Sequence, residues 1–166
     1  DYINSHAGWD KNTLIGDNPD AWMIFETASF GTLSKMYKNL KPQLPARSAI
    51  ANSFGLYSAK DLSSWLEAIS MLRNIVAHHS RLWYRIFPKK PTNLKGHRDK
   101  WLASDMTEGQ KQRVFGPISA LLYLCNAIFP ENNIKRDILA LFDAHPNIPV
   151  YQLGFTKGWR ENPIWK

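Results

Sequence analysis

The chain has one cysteine, Cys125, which excludes an intrachain disulfide and agrees with a reducing compartment. Its setting in Leu121-Leu122-Tyr123-Leu124-Cys125 marks it as a small buried apolar side chain rather than a reactive thiol. No apolar run approaches the roughly 20 residues that a spanning helix needs. The longest, Ile118 to Phe129, is interrupted by Ser119 and Asn126, follows Gly116-Pro117, and reads as a buried helix. There is no signal peptide, so the expected location is cytoplasmic, away from any membrane. There is also no initiating Met before Asp1-Tyr2-Ile3, and the chain reads as one domain over residues 1–166, a C-terminal fragment of a longer protein.

Several chemistries lack their residues as well. Neither His-Glu-x-x-His nor paired cysteines occur, and the adjacent His78-His79 pair is poorly spaced for a metal on a helix, so no metal is expected. Gly-rich phosphate loops and Gly-x-Ser-x-Gly are missing too, and no cofactor is expected. Repeats and low-complexity tracts are absent, and strand signals are few. The class is therefore all-α.

What is present is enough apolar content for a core, 44% of 166 residues, together with a net charge of +7 from 21 basic and 14 acidic residues. That balance favours polyanionic partners through counterion release, but charge alone is weak support for nucleic acid. Residues 1 to 18 look irregular. Pro19 then opens a helix carrying Trp22, Phe25, Ser29, Leu33, Met36, Tyr37 and Leu40 at helical spacing, which Phe30-Gly31 bends or splits. Pro45 starts a shorter helix, and Gly55 is placed to end it in a left-handed cap.

Ser58-Ala59-Lys60-Asp61 resembles a capping box and starts a central helix expected to run to about Phe87, where Pro88 and Pro91 stop it. Residues 88 to 106 read as a basic connector with Lys89, Lys90, Lys95, His97, Arg98 and Lys100. Thr107 caps the next helix, which passes a kink at Gly116-Pro117 and ends at Pro130; a last helix covers about Asn132 to Ala144, with Ile134, Ile138, Leu141 and Phe142 on one face. The tail from 146 to 166 is expected to pack back on the helices through Leu153, Phe155, Trp159 and Trp165.

Along the central helix, about 100° per residue places Ser63, Glu67, Ser70, Asn74, His78, Arg81 and Arg85 on one stripe. Leu62, Trp65, Leu66, Ile69, Leu72, Val76 and Trp83 form the opposite, apolar side, so the polar stripe faces solvent or a groove. The run Arg73-Asn74-Ile75-Val76-Ala77-His78 brings a permanent cation and an imidazole together, types suited to phosphodiester chemistry. Helical geometry separates them, however: Arg73 lies about 140° around the axis from His78. Three arrangements stay open: Arg73 snorkels toward the stripe, it meets a structural partner on another helix, or a second copy of the helix completes a shared cleft. His78 alone also fits a solvated or hydrogen-bonded helical histidine. His79 projects toward the apolar flank, where a core histidine is the simpler reading. The seven Trp residues can stack bases, but in a helical domain they more often fill core.

The stretch from Leu72 to Arg85, Leu-Arg-Asn-Ile-Val-Ala-His-His-Ser-Arg-Leu-Trp-Tyr-Arg, resembles the signature of the Abi-like (abortive infection) family. Similar stretches lie upstream, in Ala21 to Glu26, Ser29 to Tyr37 and Ser64-Trp65-Leu66, and downstream, in Leu153-Gly154-Phe155, Gly158-Trp159 and Pro163-Ile164-Trp165. The family is placed in the HEPN superfamily, whose motif is an Arg, four to six residues, then a His; here it falls on Arg73 and His78, with Asn74 after the Arg. The resemblance implies a HEPN-like helical bundle with irregular N- and C-terminal segments, a homodimer through the motif helices, and a metal-independent endoribonuclease. It also implies a role in phage defence or in a toxin-antitoxin system, with an antitoxin as a further partner.

On this reading RNA is the substrate, Arg73, Asn74 and His78 are the catalytic residues, and Arg81, Arg85, His79, Lys89 and Lys90 hold the RNA. The rival is a non-catalytic helical module of a defence system that binds RNA or a protein through the same stripe.

Overall fold

The computed structural model describes residues 25–96 and 100–166. Within them all regular structure is helical, with no strand. The helix expected from Pro19 is split: residues 25–27 are helical, Ala28 and Ser29 break the run, and α1 (Phe30–Asn39) starts afresh. The Ser29 hydroxyl takes the Thr32 N–H at 3.1 Å, satisfying one orphan donor of the new helix. The part of that expectation before residue 25 lies outside the described residues.

Helix α2 (Pro45–Ser53) begins with Pro45 and ends as expected at Gly55, whose φ of 71° lets the chain reverse. The Gly55 N–H donates to Asn52 O at 2.8 Å and the Leu56 N–H to Ala51 O at 3.0 Å, the paired bonds of a Schellman motif. Ser58 caps α3 (Ala59–Ala77) through the Lys60 N–H. Asp61 does not complete a capping box there; its carboxylate accepts from the Thr92 hydroxyl at 2.7 Å and ties the helix start to the later chain.

Two boundaries differ from expectation. Helix α3 stops at Ala77, ten residues before Phe87, so His78, Arg81 and Arg85 share no helical stripe. Downstream, Thr107 and Gln110 form a reciprocal capping box, but on a single turn, α4 (Glu108–Lys111), after which α5 (Phe115–Ile128) starts separately. The Gly116-Pro117 pair thus falls in the first turn of α5, where a proline needs no N–H partner, rather than at a kink. Gly116 also lets α4 approach: a Cβ there would sit 2.9 Å from the Lys111 backbone. Helix α6 (Ile134–Ala144) packs Ile134, Ile138 and Phe142 partly against the core, while Leu141 is half-exposed instead of lying on that face.

Helix α3 is the spine, packed between α1 and α5. Small residues set the α1 contact: Ser34 and Ser70 are buried, and a Cβ on Gly31 would sit 3.2 Å from Ser70 Oγ. The first half of the polar stripe is therefore covered, with Ser63 and Ser70 buried and Glu67 bonded to Lys38 at 2.8 Å. On the other side Trp65 stacks on Trp101 at 4.7 Å, and Tyr123 of α5 meets both rings edge-on. The tail folds back as expected: Leu153, Phe155, Trp159 and Trp165 are buried, and the Trp165 indole donates to Ser119 at 3.1 Å. Cys125 is partly buried, and that burial raises its thiol pKa, which agrees with an inert side chain.

Candidate functional site

The last turn of α3 carries the candidate residues. Arg73 and Asn74 are both exposed, and the Arg73 guanidinium donates to Asn74 Oδ1 at 3.2 Å. Among the described residues Arg73 enters no ion pair. Of the arrangements open to it, an internal salt bridge is thus not the one adopted. Asn74 also lines, with Ser29, Thr32, Glu67 and Lys89, a cleft of about 340 Å³ between α1 and α3. Val76, expected on the apolar side, is 51% exposed, while Ile75 is buried in its place.

The helix then ends without a glycine. His78 is the C-cap, its N–H donating to Asn74 O at 3.0 Å; His79 follows with φ at 50°. The His79 N–H reaches Val76 O at 2.9 Å and the Ser80 N–H reaches Ile75 O at 3.0 Å, the same Schellman pair that closes α2. For an L-residue with a Cβ, the left-handed conformation costs about 1–2 kcal/mol, less felt by His, Asn and Asp than by branched residues. Both histidines are exposed, so His79 does not enter the core as the helical projection suggested. Five residue steps still separate Arg73 from His78, about 7.5 Å of rise and 140° of rotation at helical geometry.

Beyond the cap, residues 80–87 cross the surface as an anchored, non-helical strap. Leu82 and Trp83 are half-buried against the core, and Phe87 is fully buried with its N–H on Gln112 O at 2.7 Å. Between them Tyr84 is a second left-handed residue, φ 56°. Its phenol oxygen accepts from Gln152 Nε2 at 2.5 Å, and Gln152 is itself held by Arg113 through its carbonyl at 3.2 Å. Arg81, Trp83, Tyr84 and Arg85 line a shallow depression of about 210 Å³, and neither arginine is in an ion pair among the described residues. Sequence reasoning missed Tyr84 and assigned Trp83 to the buried side; the two adjacent aromatics bracketed by Arg81 and Arg85 were the available signal.

Lys89 and Lys90 sit differently. Lys89 lies 3.4 Å from Glu67, and Lys90 lies 2.5 Å from Glu108, which also takes Lys111 at 2.5 Å. Burial raises the Glu67 pKa, but Lys38 and Lys89 outweigh it and the carboxyl ends below its usual value. The bonds from Lys111 and Lys90 hold Glu108 down at about 2. His97 and Arg98 of the expected basic connector lie outside the described residues. A cleft of about 450 Å³ between Gly55, Tyr123, Lys135 and Ile164 contains none of the motif residues.

Residues 1–84 match the sequence family described as Abi-like protein. The chain belongs to the Abi-like family. That match takes in Arg73, Asn74, His78 and His79 and closes at Tyr84, so the downstream similarity around Leu153 to Trp165 lies outside it. The family relation suggests a role in phage defence. No curated protein and no solved structure matches the chain. Among the described residues of this Abi-like protein no helix is long and apolar enough to cross a membrane, and no three His, Cys, Asp or Glu side chains gather as a metal site.

Proposed function

We propose that this Abi-like protein is a metal-independent endoribonuclease of a phage-defence system, with Arg73 and His78 as its catalytic pair. The observation that carries the reading is a cation and an imidazole, spaced as in the HEPN motif, both exposed at one helix end with the cation in no ion pair among the described residues. A guanidinium of that kind is available to fork onto a phosphate.

In the proposed reaction a base removes the ribose 2′-hydroxyl proton, and the oxygen attacks the adjacent phosphorus. The 5′-oxygen then leaves with a proton from an acid, giving a 2′,3′-cyclic phosphate and a 5′-hydroxyl. His78 takes one of these roles and the His78 of a second copy takes the other. Arg73 stabilises the charge gathering on the phosphoryl oxygens. Asn74 steadies the Arg73 guanidinium through the bond at 3.2 Å.

The rotation between Arg73 and His78 is the reason a homodimer belongs to the proposal: two helix ends facing each other bring one chain's Arg to the other's His. The exposed Val76 beside them supplies apolar surface for such a contact.

The test is incubation of the protein with single-stranded RNA in EDTA, beside Arg73→Ala and His78→Ala, with analysis of the cut ends and the mass in solution. Cyclic phosphate ends from a dimer, lost in both variants, support the reading. Intact RNA bound equally by all three replaces it with a non-catalytic RNA-binding module, which the exposure of His78 also suits.

A further inference from the structure

We infer that the depression formed by Arg81, Trp83, Tyr84 and Arg85 is a seat for one unstacked base of a single-stranded RNA, with the two guanidiniums on the flanking phosphates. The inference deepens the nuclease reading, on which it rests for RNA as the ligand, by naming the strand form and the residues that select it.

The strap is built to hold an aromatic ring in water. Tyr84 is 61% exposed, yet its backbone stands in the left-handed region and its phenol is fixed by Gln152 at 2.5 Å. A glycine would take that backbone conformation without a Cβ clash, and a small polar residue would avoid exposing the ring. The ring is thus kept at a backbone cost and in one orientation, so little of its freedom is lost when a base lands on it. Trp83 beside it is half-buried, with one part packed against the core and the rest on the depression.

Charge points to the same occupant. Arg81 and Arg85 line the depression with the two aromatics, both exposed, and neither is in an ion pair among the described residues. Aromatic side chains and cations lining one depression match the bases and phosphates of a single strand. In a duplex the bases are stacked on one another and their faces are out of reach. The small size of the depression, about 210 Å³, suits one base and not an extended groove.

The experiment is equilibrium binding of the full chain in EDTA to three probes: a short single-stranded RNA, the same strand with abasic sites, and the corresponding RNA duplex. Tyr84→Gly removes the ring while accepting the positive φ, and Tyr84→Phe keeps the ring; thermal melts confirm that both fold. Wild type is expected to prefer the base-bearing strand over the other two probes. Tyr84→Gly is expected to lose about 5- to 150-fold on that strand and nothing on the abasic one, with Tyr84→Phe, which keeps the ring and loses its bond to Gln152, falling between it and wild type. Equal binding of strand and duplex by wild type overturns the inference. So does unchanged strand binding by Tyr84→Gly, or the absence of RNA binding altogether. Cleavage is scored separately in the same samples. Ring-dependent binding of uncut RNA sinks the nuclease and leaves the base seat; cutting that ignores Tyr84 does the reverse.

Discussion

The chain on either side of Phe87 carries cations at similar density, yet the two stretches do opposite things with them. Before Phe87, residues 73–85 expose Arg73, Arg81 and Arg85, none of them in an ion pair among the described residues, and hold His79 and Tyr84 in left-handed backbone. After it, residues 88–106 set Lys89 and Lys90 against Glu67 and Glu108 and bury Pro91, Leu94, Trp101, Leu102 and Met106. The second stretch was expected to be a basic connector; in its place the structure has a piece of core whose first two lysines are paired with carboxylates. Cation count in a sequence therefore says little about a polyanion site until the acids that reach those cations are known.

The largest effect should come from attacking the core role of the second stretch. Trp101 is 1% exposed and stacked on Trp65, so Trp101→Ala is expected to cost about 3–5 kcal/mol of unfolding free energy, read from urea titration. An unchanged midpoint would return residues 88–106 to the status of a connector. In the first stretch the matching experiment should spare stability. Arg73→Ala and His78→Ala are expected to lose about 10²- to 10³-fold in cleavage rate while their melting changes by no more than about 0.5 kcal/mol. A comparable loss of stability would mean that the exposed pair is structural after all.

A smaller effect isolates the helix ends. Helices α2 and α3 close with the same pair of hydrogen bonds, one around Gly55 and the other around His79. His79→Gly should therefore stabilise the fold by up to about 1 kcal/mol, partly offset by the freer unfolded chain. Gly55→Ala should destabilise it by about 1–2 kcal/mol, the more so because a Cβ there meets the Tyr123 hydroxyl at 3.2 Å. Calorimetric melts of the two variants would read the opposite signs, and a shared sign would show that the left-handed conformation is not what separates the two ends.

That pair of ends also explains which parts of the structure were legible in the sequence. Pro45, Gly55, Ser58 and Thr107 are residues whose local chemistry dictates a boundary, and each boundary is found where it was expected. The end of α3 was not legible, because no Gly or Pro lies between His78 and Phe87 and helical periodicity continues through Leu82 and Trp83. Tertiary demands decide it: the chain must turn early so that Phe87 can be buried and Trp101 can reach Trp65. The Arg73 to His78 spacing was legible from the start. What the sequence hid was the setting, since the polar stripe splits into a half covered by α1 and a half that leaves the helix.

The smallest effect tests whether pairing keeps the lysines of the second stretch from a polyanion. Each cation that meets a phosphate steepens the salt dependence of single-strand binding by about 0.7 in log–log slope, whereas a lysine already paired with a carboxylate contributes less. Lys89→Ala and Lys90→Ala should thus change the slope little, while Arg81→Ala and Arg85→Ala should flatten it. Glu67→Gln and Glu108→Gln should free the lysines and steepen the slope. Acid should act in the same direction, with a sign fixed by the pKa shifts. Both carboxyls lie below their ordinary 4.5 when folded, Glu108 at about 2, so the stability they lend is complete above pH 4.5 and falls away as pH drops through the folded values. The Lys90–Glu108 pair should consequently persist to lower pH than the Lys89–Glu67 pair. Unfolding titrations between pH 6 and 2 on the Glu67→Gln and Glu108→Gln variants would show the order. If instead Lys89→Ala flattens the salt slope at neutral pH as much as Arg81→Ala does, the contrast drawn across Phe87 is wrong and both stretches face the same strand.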